Sequence, residues 1–516
     1  MIRPRGRTSW AVPGSLLARR AMARAIRCGG VLAVLPLLLP DAGAAAASPG
    51  APSTPNLLLI LSDDLGWGGV GCYGADPALV RTPAIDRLAA EGRRFTDACT
   101  PSSVCSPTRY AVLTGRYCWR TSLTHEVLGV YSPLHIEPTR LTLASLLKRK
   151  GYATAAVGKW HLGYGSAART DYTAELTPGP LDIGFDYHFG VPSNHGDITG
   201  VFVEDRTVVG LRSAALKPFG ACYYGGKPFI GLDAPQRVDE EVMDVLTDKA
   251  LAWLERQGPA KPFFLYYAPV AVHEPATPSA KTKGTSGCGV YGDFLHDLDR
   301  SVGRLLEFLD RRKLAESTLV IFTSDNGGVV ITEGTRPEAV AYAAGLRVNG
   351  PWRGRKHSVY EGGFRVPFLA RWPGRVPAGT VCDETIGLVD LLATAAAIVG
   401  EPLPAPSEGA EDSVNVLPAL LGEKTAGPLR ADLICHSADG NFAIRQGPWK
   451  WIEGKCHPQT KPGVLKARAP EFKPQLYSLK DDPAEQTNVL DANTERAHRL
   501  AELLETYRKQ GFSRKP

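Results

Sequence analysis

The sequence predicts an α/β fold: a large, mostly parallel sheet sandwiched by helices, with a smaller C-terminal α+β domain carrying a short antiparallel sheet. Three observations lead there. Apolar runs of strand length alternate with stretches of helical spacing from residue 55 to about residue 400. Several of those runs end abruptly in acids, amides or basic residues, as buried parallel strands do at their carboxyl ends. Beyond the Pro-rich residues 402–406 the texture changes to short strand-like segments.

The first apolar run, residues 57–61, ends in Ser62-Asp63-Asp64 and reads as a buried strand. A helix follows, with Thr82 as N-cap, Pro83 at its first position, Ile85, Leu88 and Ala89 on its apolar face and Gly92 as its stop. Thr142 opens a second helix through Leu143, Leu146 and Leu147 to Gly151, and residues 152–157 give a strand before Gly158-Lys159-Trp160-His161. Val242, Leu246, Ala250, Trp253 and Leu254 keep helical spacing, and residues 263–267 resume as an aromatic strand leading towards His273. Phe294, Leu298, Val302, Leu305 and Leu309 mark the next helix, which feeds a strand at 319–322 ending in Ser324-Asp325-Asn326-Gly327-Gly328. A helix over 388–399 precedes the Pro-rich boundary. Residues 442–445, 449–452 and 475–479 then read as antiparallel strands, and Leu500, Leu503, Leu504 and Tyr507 as a final helix. The expected division is 1–47 signal peptide, 55–405 catalytic domain and 406–516 C-terminal domain.

The leader assignment rests on Arg24 and Arg27 ahead of an apolar stretch over 31–39, with small residues at 44–47. The stretch is too short for a stable transmembrane anchor, so export to the periplasm or exterior is expected. The formal charge of +6 comes largely from this leader. Taking its seven Arg from the 59 basic residues, and its one Asp from the 53 acids, leaves 52 of each. A neutral body gives no electrostatic case for nucleic acid. None of the ten Cys forms a Cys-x-x-Cys pair. With Cys28 removed in the leader, nine remain in an oxidising compartment, and an odd number leaves at least one out of any pairing. Cys105 is the candidate.

Ligands in open α/β sheets bind beyond the carboxyl ends of the strands. Four predicted strand ends deliver Asp63 and Asp64, Lys159 and His161, His273, and Asp325 and Asn326. Acids with an amide are hard oxygen ligands that suit Ca²⁺ or Mg²⁺ better than Zn²⁺. Each pair also has a plainer explanation, since Asp-Asp can cap a helix and Asn-Gly-Gly can be a turn. Lys159 and His161, two apart, point to one side if the segment is extended, ready for an anion; a solvated Lys and a core His are equally consistent.

The segment Cys105-Ser106-Pro107-Thr108-Arg109, continuing into Leu113-Thr114-Gly115-Arg116, resembles the Cys-x-Pro-x-Arg signature of the type I sulfatases, in the alkaline phosphatase superfamily. The resemblance extends in order through Asp63-Asp64, Gly158-Lys159-Trp160-His161-Leu162-Gly163, Ser324-Asp325-Asn326-Gly327-Gly328 and Tyr360-Glu361-Gly362-Gly363. It implies that Cys105 is oxidised to formylglycine by a formylglycine-generating enzyme, and that Asp63, Asp64, Asp325 and Asn326 hold one Ca²⁺ that also contacts the residue at 105. It further implies that Lys159 and Lys356 bind sulfate, that Arg109 holds the aldehyde hydrate and that His273 serves the leaving group. Ser193 aligns with a polar residue on the sulfate side.

The chemistry expected from that resemblance is attack on sulfur by one hydrate hydroxyl, deprotonated with help from Asp325, while His273 protonates the leaving oxygen. His161 then takes the proton of the second hydroxyl from the sulfated intermediate, expelling sulfate. His125 and His195 are left outside this core, with a pocket-lining role and a capped imidazole both open. Arg353 and Arg355 are either a second anion contact or solvated loop charges. A phosphodiester or phosphonate hydrolase, and an inactive Ca²⁺-holding carbohydrate binder, are the rival readings. The substrate expected is a sulfated carbohydrate or other sulfated small molecule, selected by loops such as 167–180, 194–235 and 332–349. The sequence does not set the oligomeric state.

Overall fold

A computed structural model describes residues 54–219, 229–455 and 473–515. The proposed leader lies outside them, and no helix among the described residues is long and apolar enough to cross a membrane. Five strands form the parallel centre: β1 (Asn56–Ser62), β2 (Ala153–Lys159), β3 (Tyr187–Val191), β4 (Phe263–Ala268) and β5 (Thr318–Ser324). Their spatial order is β5-β1-β4-β2-β3, with every neighbouring pair parallel. Short strands extend both edges to ten in all, and antiparallel pairing begins at Phe368–Arg371 beside β5 and at Val203–Glu204 beside β3. The sheet is therefore mixed but mostly parallel, as the alternation of strand and helix predicts.

Both faces of the sheet are covered because its strands are apolar on both. Leu57, Leu59 and Leu61 point into one core with Phe264, Tyr266, Leu319 and Ile321; Leu58 and Ile60 point into the other with Leu265, Tyr267, Val320 and Phe322. The period-two alternation of side chains makes that division. Helices α2 (Cys105–Thr114) and α3 (Leu143–Arg149) pack on the first face, and α1 (Pro83–Glu91), α4 (Val242–Glu255) and α5 (Val290–Arg311) on the second. α3 starts as predicted, with Thr142 and Ser145 exchanging side-chain and backbone bonds in a capping box. α1 starts differently. The Thr82 hydroxyl accepts from the Gly71 amide and donates to Asp86, while the Asp299 carboxylate of α5 accepts from the Ala84 and Ile85 amides at 3.2 and 2.9 Å. A neighbouring helix thus caps what the local sequence assigns to Thr82.

The C-terminal strands β6 (Asp432–His436), β7 (Phe442–Gln446), β8 (Trp449–Ile452) and β9 (Gln475–Ser478) make an antiparallel sheet in that order. The helix Thr494–Gln510 packs on it through Leu500, Leu504 and Tyr507. A buried ionic cluster joins this sheet to the chain before it. The Glu361 carboxylate accepts from Arg365 at 2.8 Å and from Lys450 at 3.0 Å, Arg445 and Arg365 contact Asp97 at 2.7 and 2.9 Å, and Lys450 lies 2.8 Å from Glu485. Cys99 sits among them, its sulfur 3.3 Å from the Arg445 guanidinium and 3.7 Å from Asp97.

Cys72, Cys99, Cys105, Cys118, Cys288, Cys382 and Cys435 are all free thiols. The pairing entertained for an exported chain is thus absent among the described residues; Cys222 and Cys456 lie outside them. Several of these sulfurs have separate polar neighbours instead: Thr121 for Cys118, the Leu79 carbonyl for Cys288 and the Thr100 carbonyl for Cys435.

Candidate active site

The parallel register brings the predicted residues to one edge. Ser62 pairs with Ser324 and Gly158 with Ala268, so the chain leaves β1, β5, β2 and β4 side by side. Asp63 exchanges backbone bonds with Ala271 and Val272 beyond β4, and the Asp325 amide donates to the Ser62 carbonyl. Asp64 then turns through a left-handed backbone, φ 58°, its amide donating to Asp325 Oδ1 at 3.2 Å.

Cys105 is the first residue of α2, and Pro107 is tolerated beside it because amides of a first helical turn lack intrahelical acceptors. Four residues on, Arg109 projects from the same face. It is wholly buried and clasps Asp325 Oδ2 through Nε and Nη2 at 3.0 and 2.7 Å, while Nη1 donates to the Lys159 carbonyl. The Lys159 ammonium lies 2.7 Å from Asp63 Oδ2 and 3.3 Å from Cys105 Sγ; Asp63 Oδ1 is 3.8 Å from that sulfur. Lys356 reaches in from the far loop to Asp64 Oδ2 at 2.8 Å. His273 Nε2 faces the same oxygen at 3.8 Å, its Nδ1 paired with the Glu274 carbonyl at 2.6 Å.

The electrostatics follow from this burial. Desolvation lifts the Cys105 thiol to about 12 despite Lys159 and Lys356, so a plain thiol here is a poor nucleophile. Burial also raises the Asp325 carboxyl, against the pull of Arg109. At Asp64 burial is overcome by the Lys356 and Lys159 charges, which hold the carboxyl below its ordinary range. His273 and His161 are held neutral, first by burial and then by the lysine charges beside them.

Oxygen donors for a hard cation are present. Asp63, Asp64, Cys105 and His273 each offer an atom within 4.8 Å of the others. Asn326 bonds Asp64 through Nδ2 at 2.8 Å, while its Oδ1 is buried with no hydrogen-bond partner. An orphaned acceptor beside three carboxylates is what a cation would satisfy. The three carboxylates, counted as ionised, balance Arg109, Lys159 and Lys356, so a divalent cation would leave the site ready for two negative charges.

Other expectations are only partly met. Lys159 and His161 are not held in one extended segment: His161 has a left-handed backbone, φ 55°, and its Nε2 pairs with the Leu128 carbonyl at 3.0 Å while Nδ1 is buried without a partner. Ser193 is buried just past the end of β3, where the preceding Pro192 carbonyl accepts from the His161 amide. His195 is buried within electrostatic reach of His273, with Nε2 on the Thr277 hydroxyl, whereas His125 lies beside Thr124 and is felt by His436. Arg353 is spent on Glu485, Tyr477 and the Tyr360 ring. Arg355 is exposed and donates to the Val330 carbonyl.

Residues 55–401 match the Sulfatase family. The chain belongs to the sulfatase family. It is therefore a sulfuric ester hydrolase by descent. It is 36% identical over 483 residues to an N-acetylgalactosamine-6-O-sulfatase of Bacteroides thetaiotaomicron, covering 88% of this chain and 93% of that one. It is 36% identical over 476 residues to human arylsulfatase A, covering 88% and 86%. A solved B. thetaiotaomicron structure from work on glycosaminoglycan metabolism superposes with a TM-score of 0.79 at 36% identity, covering 89% of this sulfatase and all of that chain.

Proposed function

We propose that this sulfatase releases inorganic sulfate from sulfated carbohydrate, with 6-sulfated N-acetylgalactosamine as the first candidate, using formylglycine made from Cys105 and one Ca²⁺ per chain. The observation that carries the reading is the position of Cys105, at the head of a helix and between Asp63 and the Lys159 ammonium. The choice of sugar is supported by the N-acetylgalactosamine-6-sulfatase relatives from a bacterium and from the dog, the latter 35% identical over 480 residues, 89% of this chain and 86% of that one.

Asp63, Asp64, Asp325 and Asn326, with the side chain at 105, would hold the cation, which when bound withdraws charge from the sulfate. Formylglycine, once hydrated, supplies a hydroxyl to attack sulfur and a second whose deprotonation lets the aldehyde re-form. Lys159 and Lys356 act as point charges on the sulfate oxygens, Ser193 as a polar contact on the same side, Arg109 fixes the hydrate, and the Asp325 carboxylate takes the proton of the attacking hydroxyl. Burial first, and then the Lys356 charge, disfavour the His273 imidazolium, and the negative charge of an incoming sulfate offsets both. His273 thereby gains the proton that it gives to the departing alkoxide from Nε2. His161, neutral and with Nδ1 free, takes the proton of the second hydroxyl.

The reading carries with it export by residues 1–47, maturation by a formylglycine-generating enzyme and the division of the mature chain near residue 405. It is tested by assaying sulfate release from N-acetylgalactosamine 6-sulfate, with phosphate monoesters, phosphodiesters and phosphonate monoesters alongside. Preference for sulfate by at least about 10²-fold is expected. Preference for a phosphate or phosphonate would contradict it.

A further inference from the structure

Lys356 is followed by a residue with an unusual backbone. His357 is left-handed, φ 77°, where residues other than glycine are uncommon. Seven non-glycine residues among those described have positive φ, and two of the others are Asp64 and His161. Such conformations persist where the surroundings over-determine them, and they gather at ligand sites. At His357 the determinants are plain: its amide donates to the Ser103 carbonyl at 3.0 Å, and its carbonyl accepts from the Ala438 amide at 3.2 Å. One residue therefore ties the loop before Cys105 to the turn between β6 and β7.

Its side chain is placed for use. Lys356 is buried, but His357 is exposed. Its imidazole feels Lys356 and Asp64 from the site, and Arg355 and Asp439 from the rim. Asp439, half-buried in the β6–β7 turn, accepts a hydrogen bond from the Ser437 hydroxyl at one oxygen. An imidazole with a carboxylate offers both donor and acceptor capacity, which a polyhydroxylated ring can use and an aromatic ring cannot.

We propose that His357 and Asp439 form the specificity-determining pair for the alcohol half of the substrate, hydrogen-bonding hydroxyls of the sugar whose sulfate lies against Lys356. The assignment rests on the carbohydrate sulfatase reading above. It also gives the C-terminal sheet a direct part in substrate choice, through Asp439.

The experiment compares kcat/KM on N-acetylgalactosamine 6-sulfate and on 4-nitrophenyl sulfate, using mature, Ca²⁺-loaded enzyme. His357→Gly removes the imidazole while keeping a backbone that glycine adopts readily. The expected loss is at least about tenfold greater on the sugar than on the aryl ester, carried mainly by KM. His357→Asn, which tolerates the left-handed backbone and keeps a donor and an acceptor, recovers part of that loss, and Asp439→Asn moves the ratio the same way. Equal losses on both esters, or none on the sugar, overturn the pair and leave the sulfatase reading standing. A wild-type enzyme inert towards sulfated sugars but active on the aryl ester overturns the carbohydrate reading and the pair together.

Discussion

Two buried clusters in this protein have almost the same inventory. Around Cys105 stand Asp63, Asp64 and Asp325 with Arg109, Lys159 and Lys356. Around Cys99 stand Asp97, Glu361 and Glu485 with Arg365, Arg445 and Lys450. Each cysteine has a cation 3.3 Å from its sulfur and a carboxylate less than 4 Å away. Burial, charge and a thiol therefore do not make a site. The clusters differ in what they leave unpaired and in where they lie. At Cys105 the leftover groups are an acceptor, Asn326 Oδ1, and an imidazole nitrogen, His161 Nδ1, and the cysteine heads a helix at the carboxyl edge of the sheet. Asp97, Cys99 and Glu361 also offer ligand atoms within 4.8 Å of one another, but there the cysteine lies in a strand and the Arg445 Nε–H is a leftover donor, which a cation would repel. In the proposed function the first cluster takes a metal and an anion, while the second fastens the C-terminal sheet.

The largest effect separates the two thiols. Cys105→Ala abolishes sulfate release, by about 10⁴-fold or more, whereas Cys99→Ala leaves kcat within about threefold; similar losses from both would erase the distinction. Next, Lys450→Met strands buried Glu361 and Glu485 charge and is expected to cost about 3–5 kcal/mol in chemical denaturation, with kcat per folded molecule within about threefold. A large loss of kcat with unchanged stability would assign the second cluster to catalysis.

A third prediction uses a buried imidazole outside both clusters. His188, between Tyr164 and the Ala156 carbonyl, is pushed by burial to about 4. The fold favours its neutral form, so its contribution is complete above the ordinary pKa of about 6.5 and is lost as pH falls through 4, at most about 3 kcal/mol. His188→Gln should flatten the fall in stability between pH 6.5 and 4, and an unchanged slope would refute this. The smallest effect concerns the metal. At a hundredfold excess over its Kd, Ca²⁺ adds about 2.7 kcal/mol of stability to the wild type, little to Asp64→Asn and the full amount to Glu361→Gln when melting is followed with and without chelator.

Much of this was legible in the sequence. Four of the five central strands carry apolar runs that end in polar residues, and the main helices keep their spacing; β3, Tyr-His-Phe-Gly-Val, carries no such run and is defined by its pairing with β2. The site followed from the same strand ends together with the Cys105 motif. What escaped depends on partners far away in the chain. Cys105 to Thr114 form a helix that the apolar spacing does not mark, and Pro107 is harmless in its first turn. β6, Asp-Leu-Ile-Cys-His, carries no clear period and is defined by pairing with β7. Glu361 meets Lys450 across 89 residues. The left-handed backbones of Asp64, His161 and His357 are announced by no local pattern.

The most direct test is fragmentation mass spectrometry of the tryptic peptide Phe95 to Arg109, which contains both Cys99 and Cys105. The protein is made beside a formylglycine-generating enzyme, with another sulfatase as conversion control. The prediction is that residue 105 has exchanged one sulfur and two hydrogens for one oxygen and reacts with an aldehyde probe, while Cys99 in the same peptide stays an alkylatable thiol. A thiol at both positions, with the control converted, would contradict the account.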